Sequence, residues 1–297
     1  MKLRAAAICA FIGLLSSSPE RAQAYCLTST CSECPRDQET GCTLGGTPVR
    51  WPAQCVSFSM QQRGSALVTT EQATSMMREA FAIWEDARCD DNGDKPAIRI
   101  SHAFGPAVCD QAEYNGGAGN ANLVIFRDDE WPYSEQAHEL AATWLTVDRS
   151  GSIVDADIEI NATAPLHVPA DDEQLELGVI ANQRDLLSIM VHEAGHFLGI
   201  DHSREEGAAM RAALEVGEVR TALSPDDVAA ICAAYPPAPE PESCDFSPHN
   251  GFASECGPAL EPGGCSVGRR SRAGARSLWA LVLAGAVLSR LRRGRRR

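Results

Sequence analysis

The run His192-Glu193-Ala194-Gly195-His196-Phe197-Leu198-Gly199-Ile200-Asp201-His202 constrains this chain more than any other stretch. Three imidazoles and one carboxylate fall in the pattern H-E-x-x-H-x-x-G-x-x-H. On a helix, positions i and i+4 share a face, so His192 and His196 can point ring nitrogens at one cation. Glu193 sits one residue on, within reach of a water on that ion but badly placed to ligate it beside His192. Gly199 can adopt a left-handed conformation, end the helix and turn the chain back, which delivers His202 as third ligand. Three protein ligands leave a fourth tetrahedral position open, the arrangement of a catalytic rather than a structural zinc.

The motif is followed by Ser203 and, within Ala208-Ala209-Met210, by a methionine eight residues past the third histidine. With these residues the region resembles the metzincin metalloproteases, and among them the matrixins, which include the matrix metalloproteases and bacterial relatives. Asp185 to Val191 is similar to the opening of the matrixin active-site helix. Leu223-Ser224-Pro225-Asp226-Asp227-Val228 through Tyr235 is similar to the start of the C-terminal helix. The resemblance runs from Val49 to Pro236, dense from Asp185 onward.

The resemblance implies an α+β zincin-like fold, a twisted mixed five-stranded sheet packed on three helices with the zinc cleft under the edge strand. It implies a zinc metalloendopeptidase acting on protein or peptide substrates. His192, His196 and His202 would be the ligands, Glu193 the general base, and Met210 an apolar floor beneath the metal. By position, Leu140, Ala141, Ala142, Thr143 and Trp144 would form the edge onto which substrate adds as an antiparallel strand.

Departures from the family pattern are equally specific. Ala212 stands where astacin-like relatives carry a tyrosine ligand. The H-x-D and later histidines of the structural zinc site are missing, His138 and His167 stand alone, and one zinc is expected rather than two. The P-R-C-G-x-P-D latency switch is also missing, and Cys34-Pro35-Arg36-Asp37 is only a superficial echo of it. Asp128, Asp129, Asp155 and Asp157 are candidates for calcium, although their spacing defines no binding loop.

The ends of the chain point outward. Lys2 and Arg4, the apolar stretch Ala5–Leu15 and Ala22-Gln23-Ala24 read as a signal peptide over residues 1–24. Residues 25–48 form a Cys-rich segment, 49–236 the catalytic region, and 237–264 a Pro-rich linker with a Cys-containing segment. Residues 265–297 form a tail with Cys265, an apolar run from Leu278 to Leu288 and a terminal arginine cluster. That run is short beside the ~20 residues of a permanent span. The tail resembles bacterial C-terminal sorting signals of the myxosortase type, which implies transient or processed membrane anchoring. A retained anchor and a soluble basic tail are the alternatives.

Twelve cysteines suit an exported chain. Without Cys9 and Cys265, ten remain, an even number suited to disulfides, with connectivity not readable from sequence. Between Tyr25 and Glu261 stand 13 basic and 39 acidic residues, a net charge of about −26. This argues against nucleic acid as a partner and for a soluble body. The expected body is monomeric and exported, extracellular or held at the cell surface.

Coarse periodicity completes the reading. Val49–Trp51, Cys55–Phe58, Pro96–Ile100, Asn122–Phe126, Ala141–Val147 and Ile153–Ile160 read as strands. The last has the alternation of a half-buried strand. Glu71–Ala87 reads as an amphipathic helix with Met76, Ala80, Ile83 and Trp84 inward. Strands interleaved with a few helices predict a mixed sheet packed on helices.

Overall fold

The computed structural model describes residues 25–133, 139–168, 183–257 and 266–267. The expected signal peptide, Cys265, the apolar run with its arginine cluster, and His138 lie outside the described residues.

The central sheet has the order β2-β4-β6-β5-β9. β2 (Ser59–Met60), β4 (Leu123–Arg127) and β6 (Ile153–Asn161) run parallel; β5 (Ala141–Val147) lies antiparallel beside β6 with Thr143 opposite Ile158. The two-residue strand β9 (Ser266–Val267) pairs with β5 only at Leu145 and Thr146. Two short parallel pairs complete the strands, β1 (Cys55–Ser57) with β3 (Arg99–Ser101) and β7 (Leu166–His167) with β8 (Arg184–Asp185). This is a mixed α+β architecture, as expected. Val49–Trp51 forms no strand, but Arg50 makes an isolated bridge to Ser152.

The described residues form three helices, α1 (Thr70–Glu85), α2 (Leu186–Phe197) and α3 (Pro225–Ala234), of which α1 and α2 pack against the strands. Helix α1 starts at Thr69, whose hydroxyl accepts from Gln72 N while the Gln72 side chain accepts from Thr69 N, a capping box. Its buried stripe is Ala73, Met77, Ala80, Phe81 and Trp84. Met76 and Ile83 are only half-buried, one position off the expected face.

β6 departs from expectation more sharply, because both of its faces are covered. Ala156, Ile158 and Ile160 enter the main core, while Asp155, Asp157 and Glu159 on the other face are also buried. Asp157 accepts from Leu123 N at 2.7 Å and Glu113 N at 2.9 Å. Glu159 accepts from Arg127 Nε and Trp144 Nε1, each at 2.7 Å, and from Tyr133 OH. Alternation correctly separated the two faces; a polar face buried under a tertiary layer leaves no mark in a hydropathy pattern.

All ten cysteines expected to pair do so: Cys26–Cys42, Cys31–Cys34, Cys55–Cys244, Cys89–Cys232 and Cys109–Cys256. Cys244 and Cys256 therefore fix the segment after the Pro-rich linker against the sheet. Main-chain bonds from Val108 N to Ser254 O and from Ala253 N to Asn120 O join it there.

Candidate metal centre

Helix α2 is set by groups at both ends. Asp185 caps its start, accepting from Ser188 N at 2.8 Å. At the far end, where carbonyls lack intrahelical partners, Trp51 Nε1 donates to Phe197 O at 2.9 Å and Tyr235 OH to Leu198 O at 2.9 Å. Trp84 Nε1 of α1 donates to Val191 O at 2.8 Å, one residue before His192. The helix is thus fixed in rotation as well as position. Gly195 shows how tightly: a Cβ there would run into Trp84 and the Met210 sulfur.

His192 and His196 lie on one face of α2, as their spacing requires. His202 arrives after Gly199 (φ +82°), whose missing Cβ also leaves room for the Val49 carbonyl. The Nε2 atom of His202 stands 3.2 Å from that of His192 and 3.1 Å from that of His196. Nitrogens on a tetrahedral zinc at about 2.0–2.1 Å would stand about 3.3–3.4 Å apart, so both His202 distances match the spacing of a ligand set.

Their outer nitrogens decide what faces inward. His192 Nδ1 lies 2.7 Å from Ala209 O, and His196 Nδ1 2.8 Å from Ile200 O. Carbonyls only accept, so each Nδ1 carries the proton and each Nε2 turns a lone pair into the cluster. Burial pushes the pKa of His202 down to about 3, which favours its neutral form. The two inward lone pairs converge beside His202 Nε2, a donor set that one cation can share. The donor set fits zinc, which favours imidazole nitrogen.

Glu193 is buried. Its Oε2 accepts from Thr143 Oγ1 of β5 at 2.6 Å, a bond that joins the carboxylate to the strand above it. Thr143 belongs to the expected substrate edge, and its hydroxyl is turned to Glu193 while its main chain stays in the strand. Trp144, next along the strand, points the other way to Glu159. Leu140 precedes the strand and accepts from Asn161 N at 2.9 Å. Ala141–Trp144 are half-buried, paired with β6 on one side and with no strand on the other among the described residues.

Met210 lies beneath the helix against Gly195. Its turn is held by Asp227, a buried carboxylate that sequence reading did not single out. Asp227 accepts from Ala209 N at 2.8 Å, Met210 N at 3.1 Å and Ser224 N at 2.8 Å. One side chain thereby joins the methionine turn to the start of α3. Its place in the Leu223–Val228 run was the available signal.

Two other expectations fare differently. Asp128, Asp129, Asp155 and Asp157 do not converge. Asp128 accepts from Ser65 Oγ at 2.7 Å, whereas Asp155 and Asp157 are buried with pKa values raised first by desolvation, Asp155 further by the charge of Asp157 and Asp157 by the charges of Glu159 and Glu113. His167 lies in the short strand β7, away from the three ligands. A separate cavity of about 630 Å³, lined by residues including Arg50, Trp51, Gly151 and Tyr235, has no histidine or carboxylate in its wall.

Comparison with known proteins agrees with this geometry. The matrixin family model matches residues 50–236. Matrix metalloproteinase-C of Caenorhabditis elegans is 24% identical over 205 residues, covering 67% of this chain and 31% of the relative. Karilysin of Tannerella forsythia is 24% identical over 161 residues, 54% of this chain and 28% of that protein. Metalloendoproteinase 1-MMP of Arabidopsis thaliana is 41% identical over 56 residues, 19% of this chain and 15% of that protein. The chain spans about a third or less of the length of these relatives. With the family match covering most of its length, and a three-histidine cluster at the matched motif, the chain belongs to the matrixin family.

Proposed function

We propose that this protein is an exported zinc endopeptidase whose metal is held by His192, His196 and His202. The convergence of three inward-facing Nε2 atoms beside a buried carboxylate carries this reading. When bound, the zinc supplies Lewis-acid polarisation of the scissile carbonyl and lowers the pKa of a bound water towards neutrality. Glu193 would take a proton from the attacking water and pass it to the leaving amine. Thr143 steadies Glu193 by donating to its Oε2. The open side of Ala141–Trp144 offers main-chain groups to an extended peptide, which adds as a further antiparallel strand. Met210 packs under the ligand helix and closes the floor.

The signal-like start and the disulfides support export. The Cys265 tail supports transient anchoring that ends in processing at the cell surface. A catalytically silent surface module with the same metal is the rival reading, and the intact Glu193 favours the enzyme.

The test compares wild type with Glu193→Ala for zinc content and for cleavage of an unbiased peptide library. Expected are one zinc per chain in both proteins and turnover about 10²–10⁴-fold lower in the variant. Chelation should abolish cleavage by the wild type. Equal cleavage by both proteins would exclude Glu193 as the base, and zinc without cleavage in either would favour the silent module.

A further inference from the structure

The Cys-rich segment lies outside the family match, yet it is built onto the third ligand. Residues 26–28 run beside residues 199–201 as an isolated antiparallel ladder. Thr28 N donates to Gly199 O and Asp201 N to Cys26 O, each at 2.8 Å, with Leu27 opposite Ile200. The other edge of the same stretch accepts from Val49 N at Thr28 O, 2.8 Å. The Cys26–Cys42 disulfide then closes the segment, folding a hairpin in which Arg36 pairs with Thr43 back over the turn.

From this hairpin Arg36 Nη1 reaches Asp201 Oδ2 at 3.3 Å and Gly41 O at 2.9 Å. Asp201 is 4% exposed, and its other oxygen accepts from the main-chain N of His202 at 2.5 Å. Beyond the ligand, Arg204 donates to Gln38 O and to Glu39 O, returning to the same hairpin. Ser203 N bonds Met210 O at 2.9 Å. His202 is therefore gripped by the N-terminal segment before and after it in sequence, whereas His192 and His196 are carried by helix α2.

We propose that the disulfide-closed segment Cys26–Cys42 is a clamp that positions the third metal ligand, with Arg36 acting through Asp201 as a positioning residue. The proposal rests on the zinc-site reading above. Its consequence is that the segment strengthens the metal site: loosening it lowers metal affinity and turnover, the opposite of what release of an inhibitory segment would do.

The test uses the full chain with Arg36→Ala, Arg36→Lys and, as control, Arg63→Ala, which breaks an exposed ion pair to Asp110 elsewhere on the surface. Zinc affinity is measured by competition with a chromogenic chelator, beside kcat, KM and the apo-protein melting temperature. Expected for Arg36→Ala is zinc affinity about 10-fold weaker, the lower end of the cost of losing an outer-shell partner. The loss of turnover should fall in kcat at full zinc loading, with Arg36→Lys between it and wild type and Arg63→Ala unchanged. Wild-type zinc affinity in Arg36→Ala would overturn the clamp even if that variant melted earlier, and so would tighter zinc or higher activity. If Arg36→Ala does not fold, Arg204→Ala loosens the same hairpin and is judged by the same criteria. A wild type that binds no zinc would overturn the zinc reading and the clamp together, whereas a zinc-loaded wild type with an unaffected Arg36→Ala overturns the clamp alone.

Discussion

Two ligands of the candidate centre stand on a helix and the third on a turn, and the two regions are stabilised by different physics. His192 and His196 share a face through local geometry, and α2 is anchored by side chains that satisfy its carbonyls. His202 has no such local frame. Its position depends on a left-handed glycine, a ladder to residues 26–28 and a buried aspartate held by Arg36. A helix keeps its ligand spacing whenever it forms; a turn keeps it only while distant segments stay in place.

The comparison breaks most readily at Gly199. Gly199→Ala forces a left-handed conformation on an L-residue, costing about 1–2 kcal/mol, and drives a methyl group into the Val49 carbonyl. Zinc affinity should fall at least 10-fold, with a larger relative effect on metal binding than on the melting temperature. Chelator competition on the purified variant checks it; unchanged affinity would mean that the turn does not depend on this geometry. On the helix side, Trp84→Phe removes the donor to Val191 O and should cost about 1–2 kcal/mol of stability in denaturant unfolding. Zinc affinity should stay within about twofold, because spacing within α2 is local.

The strand above the carboxylate supplies a smaller effect. Thr143→Val removes the hydroxyl that donates to Glu193 and should lower kcat about 3- to 10-fold with little change in KM. A change in KM alone would instead assign Thr143 to substrate binding.

The smallest effect lies at the end of α1, far from the ligands in sequence. Burial raises the pKa of Glu85 from 4.5 to about 7, opposed by a bond from Ile100 N. The folded state therefore holds this proton more tightly than the unfolded chain. The contribution of Glu85 to stability is full below pH 4.5 and is lost as pH rises through about 7. Allowing for its partial exposure, the loss is on the order of 1 kcal/mol. Melting temperatures of wild type and Glu85→Gln between pH 5 and 8 measure it, with the difference growing in favour of the variant as pH rises.

How much was legible in advance follows the same division. The ligands, Glu193, the methionine turn and strand β5 could be read because each is written in contiguous residues with a fixed period or spacing. Met76 and Ile83 were placed inward from a plausible 3.6-residue period, but the neighbours chose the adjacent face, burying Met77 and Phe81. Asp155, Asp157 and Glu159 looked solvent-facing because hydropathy cannot register a second layer that covers a polar face. Thr143 was read as part of an edge, while its hydroxyl is bonded to Glu193 fifty residues away.

By itself, the sequence determined which residues can hold a metal, which carboxylate stands beside them, and that ten cysteines would pair. These are properties of residue type and of local helical geometry. Only the tertiary structure decided which cysteines pair, that Asp227 joins the methionine turn to α3, and that a segment outside the family match grips the turn of His202. Those contacts join residues as far apart as Arg36 and Asp201, where no local period exists, and packing of the whole chain brings them together.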